Sequence, residues 1–195
     1  MRYYLALILP IMPLALVIAA AVWFLIHKLR QNHRPQPPRL KMLAEFTLTG
    51  WAVMYVYITQ FMFGRHAMFH GWYWGRLNLR PLQPFFTALR YGASNAGLFW
   101  QMLLNVCMCL PLGFLLPVVF PKRCKNYLSV FLLSLGLALF TELSQLLAGR
   151  SADIDDVIAN TLGGVLGFWL YIIWRGLYGL TTPGKQAADI KNYHP

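Results

Sequence analysis

Five apolar runs divide the chain, at residues 5–26, 43–63, 97–120, 127–147 and 157–174. Each is long enough, or nearly so, to cross a hydrocarbon layer about 30 Å thick as an α-helix. The polar stretches between them leave no room for a separate soluble domain. The pattern predicts an all-α fold: one polytopic helical membrane domain over 1–195, with five transmembrane helices. The first run starts like a signal peptide, with Arg2 before an apolar core and Ala19-Ala20-Ala21 late in it. Its apolar sequence continues through Ile26, past the usual length of such a core, which predicts an uncleaved span.

Composition supports this reading. The chain is 58% hydrophobic and 12% charged, against about 25% charged in soluble domains. A soluble globular protein is excluded. The net charge of +11 would suit nucleic acid, but its placement follows a membrane instead. In a five-span arrangement eleven of the 17 Lys and Arg residues fall on one side: five from Lys28 to Lys41, three from Lys122 to Lys125, and Arg175, Lys185 and Lys191. The other side holds Arg2, Arg65, Arg76, Arg80, Arg90 and Arg150. The excess of Lys and Arg marks the cytoplasmic side, which puts the N-terminus outside and the C-terminus inside. No nucleic-acid partner is expected.

The connecting segments add candidate chemistry. Residues 27–42 are basic and rich in Pro, suited to anionic headgroups. Glu45 is expected near the N-terminus of the second helix, where negative charge is favoured. The long outer loop at 64–96 carries Trp72, Tyr73 and Trp74, residue types of the membrane–water interface. It also holds Arg76 and Arg80, candidate ligands for a phosphate-bearing headgroup, and a short surface helix is expected over 83–91. His66 and His70 have helical metal-ligand spacing, but no third ligand lies nearby, so no metal site is assigned. Cys107 and Cys109 point to different faces of one helix and are expected to be buried, not bridged. Asn105 lies in the third run and needs a partner on another helix, with Pro111 six residues later.

The densest polar chemistry lies at the junction of the last two runs, TELSQLLAGRSADIDDVIANTLGGVLG. Four of the six acidic residues fall between Glu142 and Asp156. Acids at membrane depth are costly and mark functional sites. Glu142 and Gln145 share a helix face, as do Asp156, Asn160 and Gly164; Asp155, Ala159, Gly163 and Gly167 form the adjacent row. Small residues at this spacing let helix backbones approach. The loop at 148–152 makes the last two helices antiparallel neighbours. The Asn160 face is therefore expected against the fourth helix, level with Glu142 and Gln145, with Arg150 reaching back to the carboxylates. Structural roles cover part of the set: Asp153 as helix N-cap with Asp156 at N3, Asp155 as a helix-end charge, and Gln145 and Asn160 as interhelical hydrogen bonds. They leave Glu142 unexplained, because an apolar residue would cost less there.

The blocks LNLRPLQPF, NVCMCLPLGFLL, ELSQ and DIDDVIANTLGGVLG, in this order over about 77–172, resemble the VanZ-like membrane family. The resemblance implies that Asn105, Glu142, Gln145, Asp153, Asp156 and Asn160 are the family's marked polar positions, followed by Gly163, Gly164 and Gly167. Arg150 is common in such proteins without being fixed. The resemblance also implies a multi-pass protein of a Gram-positive bacterial cell membrane that lowers susceptibility to glycopeptide antibiotics, teicoplanin above all. It supplies no reaction.

Three functional readings remain open. In the first, an outer-face site binds membrane lipid, a lipid-linked cell-wall precursor or the antibiotic through Asn105, Gln145, Arg150, Asn160, Arg76 and Arg80. In the second, the protein is a membrane-embedded enzyme. Glu142 and Asp156 are then the catalytic candidates, Glu142 as acid or base. Asp156, Gln145 and Asn160 would orient substrate or a divalent cation through oxygen ligands, with no other cofactor. A Ser–His or Cys–His pair and a phosphatase-type His/Arg signature are missing, which favours binding. A third reading is an assembly factor for other membrane proteins.

Overall fold

A computed structural model describes residues 12–31, 39–62, 77–91, 96–124 and 126–181. Arg65, His66, His70, Trp72, Tyr73, Trp74 and Arg76 lie outside the described residues. The elements are α1 (Met12–Gln31), α2 (Arg39–Val56), a π-helical turn (Tyr57–Met62), β1 (Leu77–Asn78), α3 (Gln83–Tyr91), α4 (Ala96–Val119), α5 (Tyr127–Leu147), β2 (Ala152–Asp153) and α6 (Ile154–Thr181).

Three helices are long and apolar enough to cross a membrane, over Phe99–Val119, Tyr127–Leu147 and Ile154–Leu177. They make the fold that of a helical membrane protein. The apolar stretch of α1, Leu16–Lys28, is shorter. It packs on α2, where Ala19 is fully buried and Trp23 meets the edge of Phe46 at 5.8 Å between ring centroids. Because α2 begins at Arg39, Glu45 sits in its second turn, buried within the fold instead of opening the helix.

Helix α6 is gripped between α4 and α5, with its larger interface on α4. Glycines set that approach. A Cβ on Gly163 would strike the Val106 carbonyl oxygen, and one on Gly167 the Leu110 carbonyl oxygen, both on α4. A Cβ on Gly164 would collide with Ser134 of α5. Leu112, Leu116, Val130 and Phe168 fill the core below, with Trp51 of α2 packed against them. The Trp51 indole also donates to the Met108 carbonyl at 2.7 Å, tying α2 to α4. Helix α4 continues through Pro111 and Pro117. Cys109 is buried as expected and Cys124 is buried too, whereas Cys107, on a different face of α4, is exposed. Helix α5 starts at Asn126, whose side chain caps it by accepting from the Ser129 amide at 3.0 Å.

Candidate functional site

The site is assembled where α6 begins. Asp153 is its N-cap, accepting the Asp155 amide at 2.9 Å. In a capping box the N3 side chain would return to the N-cap amide. Here the N3 residue is Asp156, and its carboxylate takes a different partner: the Asn105 amide group on α4, at 2.6 Å. Glu142 of α5 fills the vacant role, accepting from the Asp153 amide at 2.9 Å. The buried Glu142 thus has a definite structural partner, and that bond joins α5 to the start of α6.

One turn deeper, Asn160 accepts from the Cys109 thiol at 3.3 Å. The row Asp156–Asn160 therefore meets Asn105 and Cys109 of α4, not α5 as the short loop suggested. Helical spacing identifies residues that share a face; it does not say which neighbour covers that face. The glycines at 163 and 167 bring α4 close enough to take it.

The second wall is the π-helical turn. The Thr59 carbonyl accepts from Gln145 Nε2 at 3.2 Å and from Arg150 Nη1 at 2.6 Å. Arg150 thus reaches across to α2's extension, where sequence reasoning aimed it at the carboxylates. It stays within electrostatic reach of both: burial draws its guanidinium pKa down, and the charges of Glu142 and Asp156 oppose that. Thr59 Oγ1 donates to the Tyr55 carbonyl at 2.8 Å. Thr141 Oγ1 donates to the Leu137 carbonyl, so the Tyr55 hydroxyl must donate to Thr141, at 2.9 Å. Gln60 Nε2 reaches Ser144 Oγ at 2.9 Å. Single-turn π segments are frequent at functional sites, and this one seats two of the candidate side chains.

A third segment closes the end of the bundle. β1 and β2 pair in parallel, Leu77 with Ala152 and Asn78 with Asp153. Asn78 Nδ2 donates to Asp153 Oδ2 and to Gln83 Oε1, each at 3.0 Å. The Asp155 carboxylate accepts the amides of Leu82 at 2.5 Å and Gln83 at 3.0 Å. Asp155 is only 2% exposed, so it is not the plain helix-end charge expected from sequence. It caps a different helix, α3. Arg80 is exposed on this segment, its backbone amide donating to Asn78 Oδ1 at 3.2 Å.

Six sequence-derived candidates thus converge: Asn105, Glu142, Gln145, Arg150, Asp156 and, a turn below, Asn160. Sequence reasoning missed Tyr55, Thr59, Gln60, Asn78, Thr141 and Ser144. The available signals were the adjacent polar pair Thr59-Gln60 at the end of an apolar run and the two hydroxyls flanking Glu142. Two carboxylates, a guanidinium and three carboxamides together offer both donors and acceptors. Among the described residues no three His, Cys, Asp or Glu side chains converge as metal ligands.

A sequence profile of the VanZ/LLP1 family matches residues 14–175. Protein VanZ of Enterococcus faecium is 41% identical over 96 residues, which cover 49% of this chain and 52% of that protein. The match thus spans about half the length of that relative. No solved structure gives a significant match.

Proposed function

The chain belongs to the VanZ/LLP1 family, and from that membership we propose that it lowers susceptibility to glycopeptide antibiotics such as teicoplanin. It does so as a multi-pass protein of the bacterial cell membrane, with α1 and α2 as the first two of five spans and the α5–α6 turn facing outward. The polar cluster at that turn binds the polar part of a lipid-linked cell-wall precursor or of the antibiotic. One observation carries this reading: Asn105, Glu142, Gln145 and Asp156 come from three apolar helices, yet meet in one place beside Arg150. An apolar helix bundle has no packing need for such a set, and buried polar groups are tolerated only at a cost.

Glu142→Gln separates binding from scaffolding. Gln keeps an oxygen that can accept the Asp153 amide, so the fold should survive, while the charge is lost. In a teicoplanin-susceptible host with matched membrane levels, the variant should confer no protection and melt near the wild-type temperature. Full protection by Glu142→Gln would overturn the site.

The buried Glu142 carboxylate at the polar end of the bundle favours one second reading, an enzyme acting on a lipid-linked substrate with Glu142 as acid or base. Purified protein in nanodiscs decides between them. Binding of precursor without product supports the first reading, and turnover lost in Glu142→Gln supports the second.

A further inference from the structure

Helix α3 has a face that no described part of the protein covers. Phe85, Phe86 and Leu89 fall on one side at helical spacing and are 42, 58 and 68% exposed, and Leu82, just before the helix, is 42% exposed. Exposed Leu77 and Leu79 extend the patch along the chain. Thr87, on the other side of the helix, is half-buried, and α3 packs on α4. On α4, Trp100 and Leu103 are also exposed, near the start of its membrane-length stretch. Arg80 and Arg90, both exposed, flank it.

A short helix with one apolar face and Arg at its margin suits a membrane–water interface, with the apolar face among acyl chains and the Arg at phosphates. The orientation of α3 is also fixed. Leu82 takes a positive φ of 59°, rarely adopted by a branched non-Gly residue. This conformation turns the amides of Leu82 and Gln83 together onto the Asp155 carboxylate. Paired amides of this kind form an anion-binding nest, here filled by a side chain from α6.

We propose that α3 is an interfacial helix that docks on the phospholipid leaflet bordering the α5–α6 turn. Phe85, Phe86 and Leu89 enter the acyl layer, and Arg80 and Arg90 meet lipid phosphates. Because Asp155 belongs to the first turn of α6, the docked helix holds headgroups beside Glu142, Arg150 and Asp156. The inference requires neither an antibiotic ligand nor a particular sidedness of the membrane.

The test places photoreactive benzoylphenylalanine singly at Phe86, Leu89 and Thr87 in the full-length chain. Phe86 and Leu89 are exposed, so the analogue needs no repacking there. The proteins are irradiated in nanodiscs of phosphatidylglycerol and phosphatidylcholine and weighed by mass spectrometry. Lipid-mass adducts at Phe86 and Leu89, absent at Thr87, are expected. No lipid adduct at Phe86 and Leu89, equal adducts at all three positions, or crosslinks to a second copy of the chain would each overturn the proposal.

Discussion

Gly163→Ala tests one of the close contacts between α4 and α6. The new Cβ would meet the Val106 carbonyl oxygen and stand 2.9 Å from Cys109 Cβ, and the first of these is backbone that cannot rotate away. Helices α4 and α6 must separate or shift. Overpacking of a tight core costs about 1–3 kcal/mol, and the backbone contact places this substitution toward the upper end. For a chain of this size each kcal/mol moves the melting temperature by roughly 2–4 °C, so a fall of roughly 6–12 °C is expected. Gly136→Ala is the matched control. It lies mid-helix in α5 with nothing within 4 Å of the added Cβ. Replacing Gly by Ala in a helix favours it by up to about 1 kcal/mol, so this variant should melt at or slightly above the wild-type temperature. Both are measured as melting curves of the detergent-solubilised protein. Equal melting temperatures for Gly163→Ala and Gly136→Ala would refute the close approach of α4 and α6.

Asp155→Asn replaces a charged double acceptor with a group that turns a donor toward one of the two amides. Stability should fall by about 1–3 kcal/mol, and amide hydrogen exchange at Leu82 and Gln83 should rise; unchanged exchange would refute the capping of α3. Tyr55→Phe removes the donor to Thr141 and should cost about 0.5–1.5 kcal/mol, read as a lower melting temperature. For the proposed topology, a cysteine at Ser151 in a Cys107→Ser background should react with an impermeant thiol reagent on intact cells, and one at Asn126 should not. The reverse pattern would place the carboxylate cluster in the cytoplasm.

Much of the local structure is legible in the sequence. The short helix at Gln83–Tyr91 and the cap at Asp153 follow from local chemistry: a Pro at the second helical position and an acidic residue before an apolar run. The pairing of Asp156 with Asn160 on one face follows from helical period alone. What spacing does not encode is the identity of the neighbour. Asp156 and Asn160 found Asn105 and Cys109 on α4, although α5 is nearer in sequence. Asp155 illustrates the same limit. Acidic residues in the first turn of a helix have a sufficient local explanation, so nothing marks one of them as the cap of a helix seventy-odd residues earlier. The hydroxyls of Thr59, Thr141 and Ser144 were overlooked because such residues also satisfy themselves on their own helix, as Thr59 and Thr141 do.

The order in which the chain leaves the ribosome gives the first turn of α6 a further importance. Asn78, Leu82, Gln83 and Asn105 are all made before residue 110, and their acceptors are Asp153, Asp155 and Asp156. Until that stretch is made and α6 is in place, these donors lack their carboxylate acceptors, and α3 lacks the group that holds its N-terminus. Insertion of the α5–α6 hairpin therefore closes the surface segment, the β1–β2 pair and the carboxylate cluster together. A chain halted after α5 would keep its apolar helices, but the polar end of the bundle would remain unassembled. Arrival of α6 is thus registered at the same few residues that build the site.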